Sequence, residues 1–86
     1  MDRRQCLEQA IVCVCEDREA THGNPRKGFR RLAALWGVPL HEVPLMMAEV
    51  KLERIRTGRS DEVDHYKDAA GDLALACEMA TEEDNG

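Results

Sequence analysis

Two pairs of carboxylates stand out first. Glu49 and Glu53 are four residues apart, as are Asp68 and Asp72, so each pair lies on one face of a helix. Four such oxygens on adjacent helices suit a hard cation such as magnesium, which would bridge them to a substrate's phosphates. The plainer reading is ion pairing on exposed helix faces, with Glu49 beside Lys51 or Arg54 and Glu53 beside Arg56 or Lys67. Lys51 and Arg54 share a side at i,i+3 and could hold a phosphate, Arg through two parallel contacts and Lys as a point charge. Upstream, Arg18, His22 and Asn24 cluster beside Gly23 and Pro25. Asn24, with Asp64 or Asp68, could hydrogen-bond a base edge or ribose. Alternatively, Arg18 and Arg54 pair with Asp64 or Asp68 and lock the helices together. His41 and His65 have no companion that would make a nucleophilic dyad, and no serine or cysteine has a triad-like context.

Charge is distributed unevenly around these groups. The chain of 86 residues carries a net charge of −5. Residues 25–59 hold eight basic and three acidic groups, a local +5, and residues 60–86 hold one basic and nine acidic groups, a local −8. The two segments could neutralise each other, or the basic middle could attract a small phosphorylated ligand. A chain this acidic overall is a poor partner for a nucleic-acid polymer.

Four helices can position these residues. The first spans about residues 2–20, with Leu7, Ile11 and Val14 on one face and Cys6, Ala10 and Cys13 beside them. Gly23 and Pro25 end it, because Gly permits a positive φ and Pro excludes its predecessor from helical geometry. The second spans about 25–36, with Phe29, Leu32, Ala33 and Trp36 as a buried stripe. The third spans about 41–57, with Pro44 in its first turn. Its apolar positions are Leu45, Met46, Ala48, Leu52 and Ile55, and Gly58 stops it. Ser60 caps the fourth, which runs to about residue 80, with Val63, Ala70, Leu73, Ala74, Cys77 and Met79 as its apolar set. The short connection makes helices three and four an antiparallel hairpin. Its register places Glu53 near Asp64, Glu49 near Asp68 and Leu45 near Asp72. No strand alternation interrupts this all-α pattern.

Residues 1–80 thus form one helical domain, followed by an acidic tail at 81–86. A chain of this size buries only about 60–65% of its unfolded surface. It has one Phe, one Trp and one Tyr, so its core is aliphatic and thin. The four cysteines lack zinc spacing and read as small buried hydrophobes in a reducing cytoplasm. Assembly into a homo-oligomeric bundle is then the expected source of stability. No membrane-spanning run or signal peptide is present.

The motifs Asp17-Arg18, His22-Gly23-Asn24-Pro25, Phe29 and Leu32-Ala33-Ala34-Leu35-Trp36 resemble the opening of a family of small phage and prophage proteins. Leu45-Met46-Met47, Lys51-Leu52-Glu53-Arg54 and Asp64-His65-Tyr66-Lys67-Asp68-Ala69-Ala70-Gly71 resemble its second half. The resemblance covers about residues 10–80 and extends in helical layout to the MazG-like nucleoside triphosphate pyrophosphohydrolases. It implies a nucleotide-handling scaffold in a bacterial host's cytoplasm, with Lys51, Arg54, Asp64 and Asp68 at matching positions. Those enzymes carry ExxE and ExxD carboxylate patterns. Here the spacing is one residue longer in both pairs, and Asp72 replaces an aromatic residue of the phage family.

The expected activity is therefore capture of a nucleotide-like ligand without turnover and without a cofactor, sequestering signals of host immunity. The expected ligand contacts are Arg18, His22, Asn24, Lys51, Arg54, Asp64 and Asp68. Two alternatives are a magnesium-dependent pyrophosphohydrolase of MazG-like type and a protein that inhibits a host protein by binding it.

Overall fold

Asp2 begins the first helix with a reciprocal cap: its carboxylate accepts from the Gln5 N–H at 2.8 Å, and the Gln5 side-chain oxygen accepts from the Asp2 N–H at 2.9 Å. The computed structural model describes residues 1–17 and 23–82. Among them every regular element is helical. Helix α1 is Arg3–Ile11, continued by the π-helical segment Val12–Asp17. Helices α2 (Arg26–Trp36), α3 (Glu42–Thr57) and α4 (Val63–Glu82) follow. Arg18 and His22 lie outside the described residues.

The largest helix–helix contact is between α3 and α4, as the hairpin reading requires. Gly58 makes the turn possible. A Cβ there would lie 2.8 Å from the Arg54 carbonyl oxygen, which instead accepts the Gly58 N–H at 2.9 Å. Helix α2 packs chiefly on α3 and ends at Gly37, whose φ of 70° lets its N–H and that of Val38 close on the Ala33 carbonyl.

Helix α1 packs on α4 through its small residues. Ala10 and Val14 are buried and Cys6 and Cys13 half-buried, whereas Leu7 and Ile11 are exposed. The expected Leu7–Ile11–Val14 face is therefore corrected, for two physical reasons. A Cβ on Gly71 would come within 3.1 Å of the Val14 Cβ, so the two backbones approach too closely for large side chains. Ala10 and Val14, four apart, also lie one above the other along the helix, so together they offer a face small enough for that approach.

The core joins Val14, Phe29, Ala33, Val43, Leu75 and Met79, with Leu32, Val38, Leu40 and Met47 against it. On α4 the buried stripe is Ala69, Asp72, Leu75, Ala76 and Met79. Leu73, Ala74 and Cys77, expected inside, are exposed. The charged Asp72 occupies the middle of the buried arc, so apolarity alone points to the wrong phase. Trp36 is 43% exposed rather than core, and Met46 and Leu52 are exposed too. All four cysteines are free, with Cys15 and Cys77 exposed rather than buried.

The helix boundaries differ at α4. It starts three residues after Ser60, which serves not as its cap but as a turn residue whose carbonyl accepts the Tyr66 hydroxyl at 2.7 Å. It also includes Thr81 and Glu82, and Glu82 pairs with Arg26 at the start of α2. Residues 83–86 lie outside the described part. No helix among the described residues is long and apolar enough to cross a membrane.

Candidate functional site

The singled-out charges fall into two groups on different sides of α3. One group forms a seam between α1, α3 and α4. Lys51 Nζ lies 3.4 Å from Asp68 Oδ2, both side chains being about three-quarters buried (21% and 26% exposed). The Cys13 thiol donates to Asp68 Oδ1 at 3.9 Å, a weak sulfur contact from the π-helical segment. Asp72, one turn further along α4, is 1% exposed. Lys51, not Glu49, thus faces Asp68, which corrects the register expected from the hairpin. Lys51 shares its arc of α3 with the buried Ala48 and the half-buried Ile55, whereas Glu49 and Glu53 are exposed.

Asp64 sits at the edge of this seam. Its carboxylate is 3.0 Å from Lys67 Nζ, an i,i+3 pair in the first turn and a half of α4. That hydrogen bond raises the Lys67 ammonium above the usual lysine range, partial desolvation opposing it and the Asp64, Cys13 and Asp68 charges adding to it.

The second group is open. A groove of about 550 Å³ runs between the end of α2 and α3, lined by Trp36, Met46, Met47, Glu49, Val50, Glu53 and Arg54. Its size lies in the range of small-ligand sites, and its character fits them, being mostly apolar with few polar groups. Among the described residues Arg54 has no ion-pair partner. It stands in the last turn of α3, where the helix dipole favours a cation. Trp36 is exposed here because α2 ends at it and Gly37 turns the chain away.

A third space, of about 680 Å³, opens at the start of α2 beside Gly23, Asn24, Pro25, Phe29, Leu32 and Met47. The stretch around Gly23 therefore lines a cavity. Asn24 already has a local task, however: its side-chain oxygen accepts the Arg26 N–H at 2.9 Å and satisfies an open donor of the α2 start. Gly23 supplies the positive φ of 72° before it.

The four carboxylates do not fit a magnesium site. Glu49 and Glu53 line the Trp36 groove, while Asp68 is held by Lys51 and Asp72 is buried between helices. Among the described residues no group of three or more His, Cys, Asp or Glu side chains is placed to hold a metal ion. Of the expected ligand contacts, Lys51, Asp64 and Asp68 are engaged within the helical hairpin, Asn24 accepts the Arg26 N–H, and Arg54 alone among the described ones faces open space without a partner among the described residues. Sequence reasoning assigned Trp36 to the core and passed over Arg59 in the turn. A Trp at the last helical position before a Gly stop, and an Arg directly after the Gly58 stop of α3, were the available signals.

This arrangement defines a small all-α protein with an open, largely apolar groove, to which Arg54 adds a guanidinium with no ion-pair partner among the described residues. The family model for a domain of unknown function, DUF6378, matches residues 5–80, and the chain belongs to that family. No curated protein and no solved structure matches it.

Proposed function

We propose that this protein binds a nucleotide-like ligand in the groove between α2 and α3 and holds it without turnover. One observation carries the reading: an exposed indole, Trp36, and a guanidinium with no ion-pair partner among the described residues, Arg54, line the same groove. An indole face stacks on a base. A guanidinium makes two parallel contacts to a phosphate. Glu49 and Glu53, which also line the groove, can accept hydrogen bonds from a base edge or ribose. The separation of these glutamates from Asp68 and Asp72 supports binding over metal-dependent hydrolysis.

The protein acts as a homo-oligomer in this reading. Leu7 and Ile11 on α1 and Leu73 on α4 are each more than half exposed, which is costly for so small a chain and is relieved by a second copy. The resemblance to phage proteins and to MazG-like enzymes supports a phage-encoded protein that sequesters nucleotide signals in the host cytoplasm.

Calorimetry with a panel of nucleotides tests the reading. Saturable binding that is lost in Arg54→Ala and Trp36→Ala, with the fold intact, is the expected result. Product formation with magnesium that Glu49→Ala abolishes would replace it with the hydrolase. No nucleotide binding, together with a stable complex recovered from host lysate, would replace it with the inhibitor of a host protein.

A further inference from the structure

The turn between α3 and α4 encloses a smaller cleft of about 290 Å³, lined by Arg54, Thr57, Gly58, Arg59, Glu62 and His65. Arg54 lines both this cleft and the Trp36 groove, so the two spaces meet at one side chain. We infer that the cleft seats the second phosphate of the ligand, Arg54 and Arg59 holding its oxygens, so that the groove selects nucleoside diphosphates or longer over monophosphates. The inference rests on the proposed reading of the Trp36 groove.

The side chains in the cleft differ in how far they are committed. The Thr57 hydroxyl donates to the Glu53 carbonyl at 2.8 Å, and the Gly58 N–H donates to the Arg54 carbonyl at 2.9 Å, so neither is available as a donor. The arginine side chains are the charged donors left to recognise an anion. Arg54 is uncommitted among the described residues. Arg59 is only loosely held: its two contacts to Asp61 are 3.3 and 3.4 Å, long for charged hydrogen bonds. Both partners are about three-quarters exposed, at 76% and 75%. An exposed pair of that geometry contributes little, so a phosphate offering two oxygens to the Arg59 fork displaces Asp61. His65 supplies a further N–H in either neutral tautomer. Glu62 lines the cleft and the displaced Asp61 stays beside Arg59, so the two carboxylates match the two guanidinium charges, and an anion is held by the directed contacts of the two forks rather than by net charge.

This geometry also explains why the second phosphate matters. A monophosphate in the Trp36 groove is reached by Arg54 from one side only. A second phosphate carried past Arg54 enters the turn cleft and adds the Arg59 contacts.

Titration of the full chain with inorganic pyrophosphate tests the cleft directly. Saturable binding is expected, weakened at least tenfold by Arg59→Ala and strengthened severalfold by Asp61→Asn, which releases Arg59. Both positions are exposed, and circular dichroism verifies that the variants fold. Absence of pyrophosphate binding, or binding indifferent to Arg59→Ala, overturns the inference. A series of nucleoside mono-, di- and triphosphates then separates the two readings. A gain in affinity at the second phosphate that disappears in Arg59→Ala supports both. Monophosphate binding that depends on Trp36, with no gain at the second phosphate, overturns the cleft and leaves the groove. Arg59-dependent pyrophosphate binding with no affinity for any nucleotide overturns the groove and leaves the cleft.

Discussion

On the side of α3 that faces α4, Lys51 reaches Asp68, and Cys13 reaches the same carboxylate from α1. Three residues further along, the exposed Arg54 lines the groove that ends at Trp36 and the cleft of the turn, and has no ion-pair partner among the described residues. The two cations are three apart and look equivalent as a pattern. They differ because i,i+3 positions are offset around the helix, enough to put one in a packed seam and the other in an open groove. In the seam, desolvation makes each charge depend on its neighbour. In the groove, a charge keeps its water until a ligand replaces it. A charge that packing has already satisfied holds the fold, and the one left over is available for binding.

Substitutions that separate stability from binding sharpen this contrast. The largest effect belongs to the hydrophobic core: Met79, with 0% exposure, should cost about 2–5 kcal/mol as Met79→Ala, read as a lower denaturant midpoint. On the open side, Arg54→Ala should leave that midpoint nearly unchanged and remove about 1.5–3 kcal/mol of nucleotide binding, measured by calorimetry. If Arg54→Ala unfolds the chain, the two sides of α3 are not different in kind. Trp36→Ala should lose about 1–3 kcal/mol of binding through stacking, with a stability change well below that of Met79→Ala because the ring is 43% exposed.

Lys51→Met should reverse that pattern. Its pair with Asp68 lies between the surface and buried cases, so a stability loss of about 1–2 kcal/mol is expected, while nucleotide affinity stays within about twofold, below the tenfold that 1.4 kcal/mol represents. A large loss of affinity without a loss of stability would move Lys51 into the ligand site. The smallest effect is at Asp64. Its bond raises the Lys67 ammonium, so the pair's contribution is present below the ordinary lysine pKa and fades as pH rises through the raised value. Wild type and Asp64→Asn should therefore differ slightly in melting temperature at neutral pH and converge in strong alkali.

Much of the fold could be read from the chain, because the signals are local. Gly37, Gly58 and Pro44 act through backbone geometry that neighbours hardly alter, and they mark the ends of α2 and α3 and the first turn of α3. The hairpin follows from the shortness of its connection. The buried faces of α1 and α4 were harder. Leu7 and Ile11 are the large apolar residues of α1, yet the face used is that of Ala10 and Val14, because Gly71 admits only a close approach. Asp72 interrupts the apolar stripe of α4 while lying at its centre. Hydrophobic patterning cannot register a charge that burial tolerates, or a large side chain that packing leaves outside.

The candidate site divides in the same way. Residue types determined that the basic segment holds an arginine in the last turn of α3 and a Trp at the end of α2. Spacing determined that Lys51 and Arg54 share a helix. Which of the two has a partner was decided by the approach of α4, since an ion pair depends on distance across the hairpin and not on order along the chain. Only the packed helices separate Glu49 and Glu53 from Asp68, expose Trp36, and place Arg59 around the same cleft as Arg54.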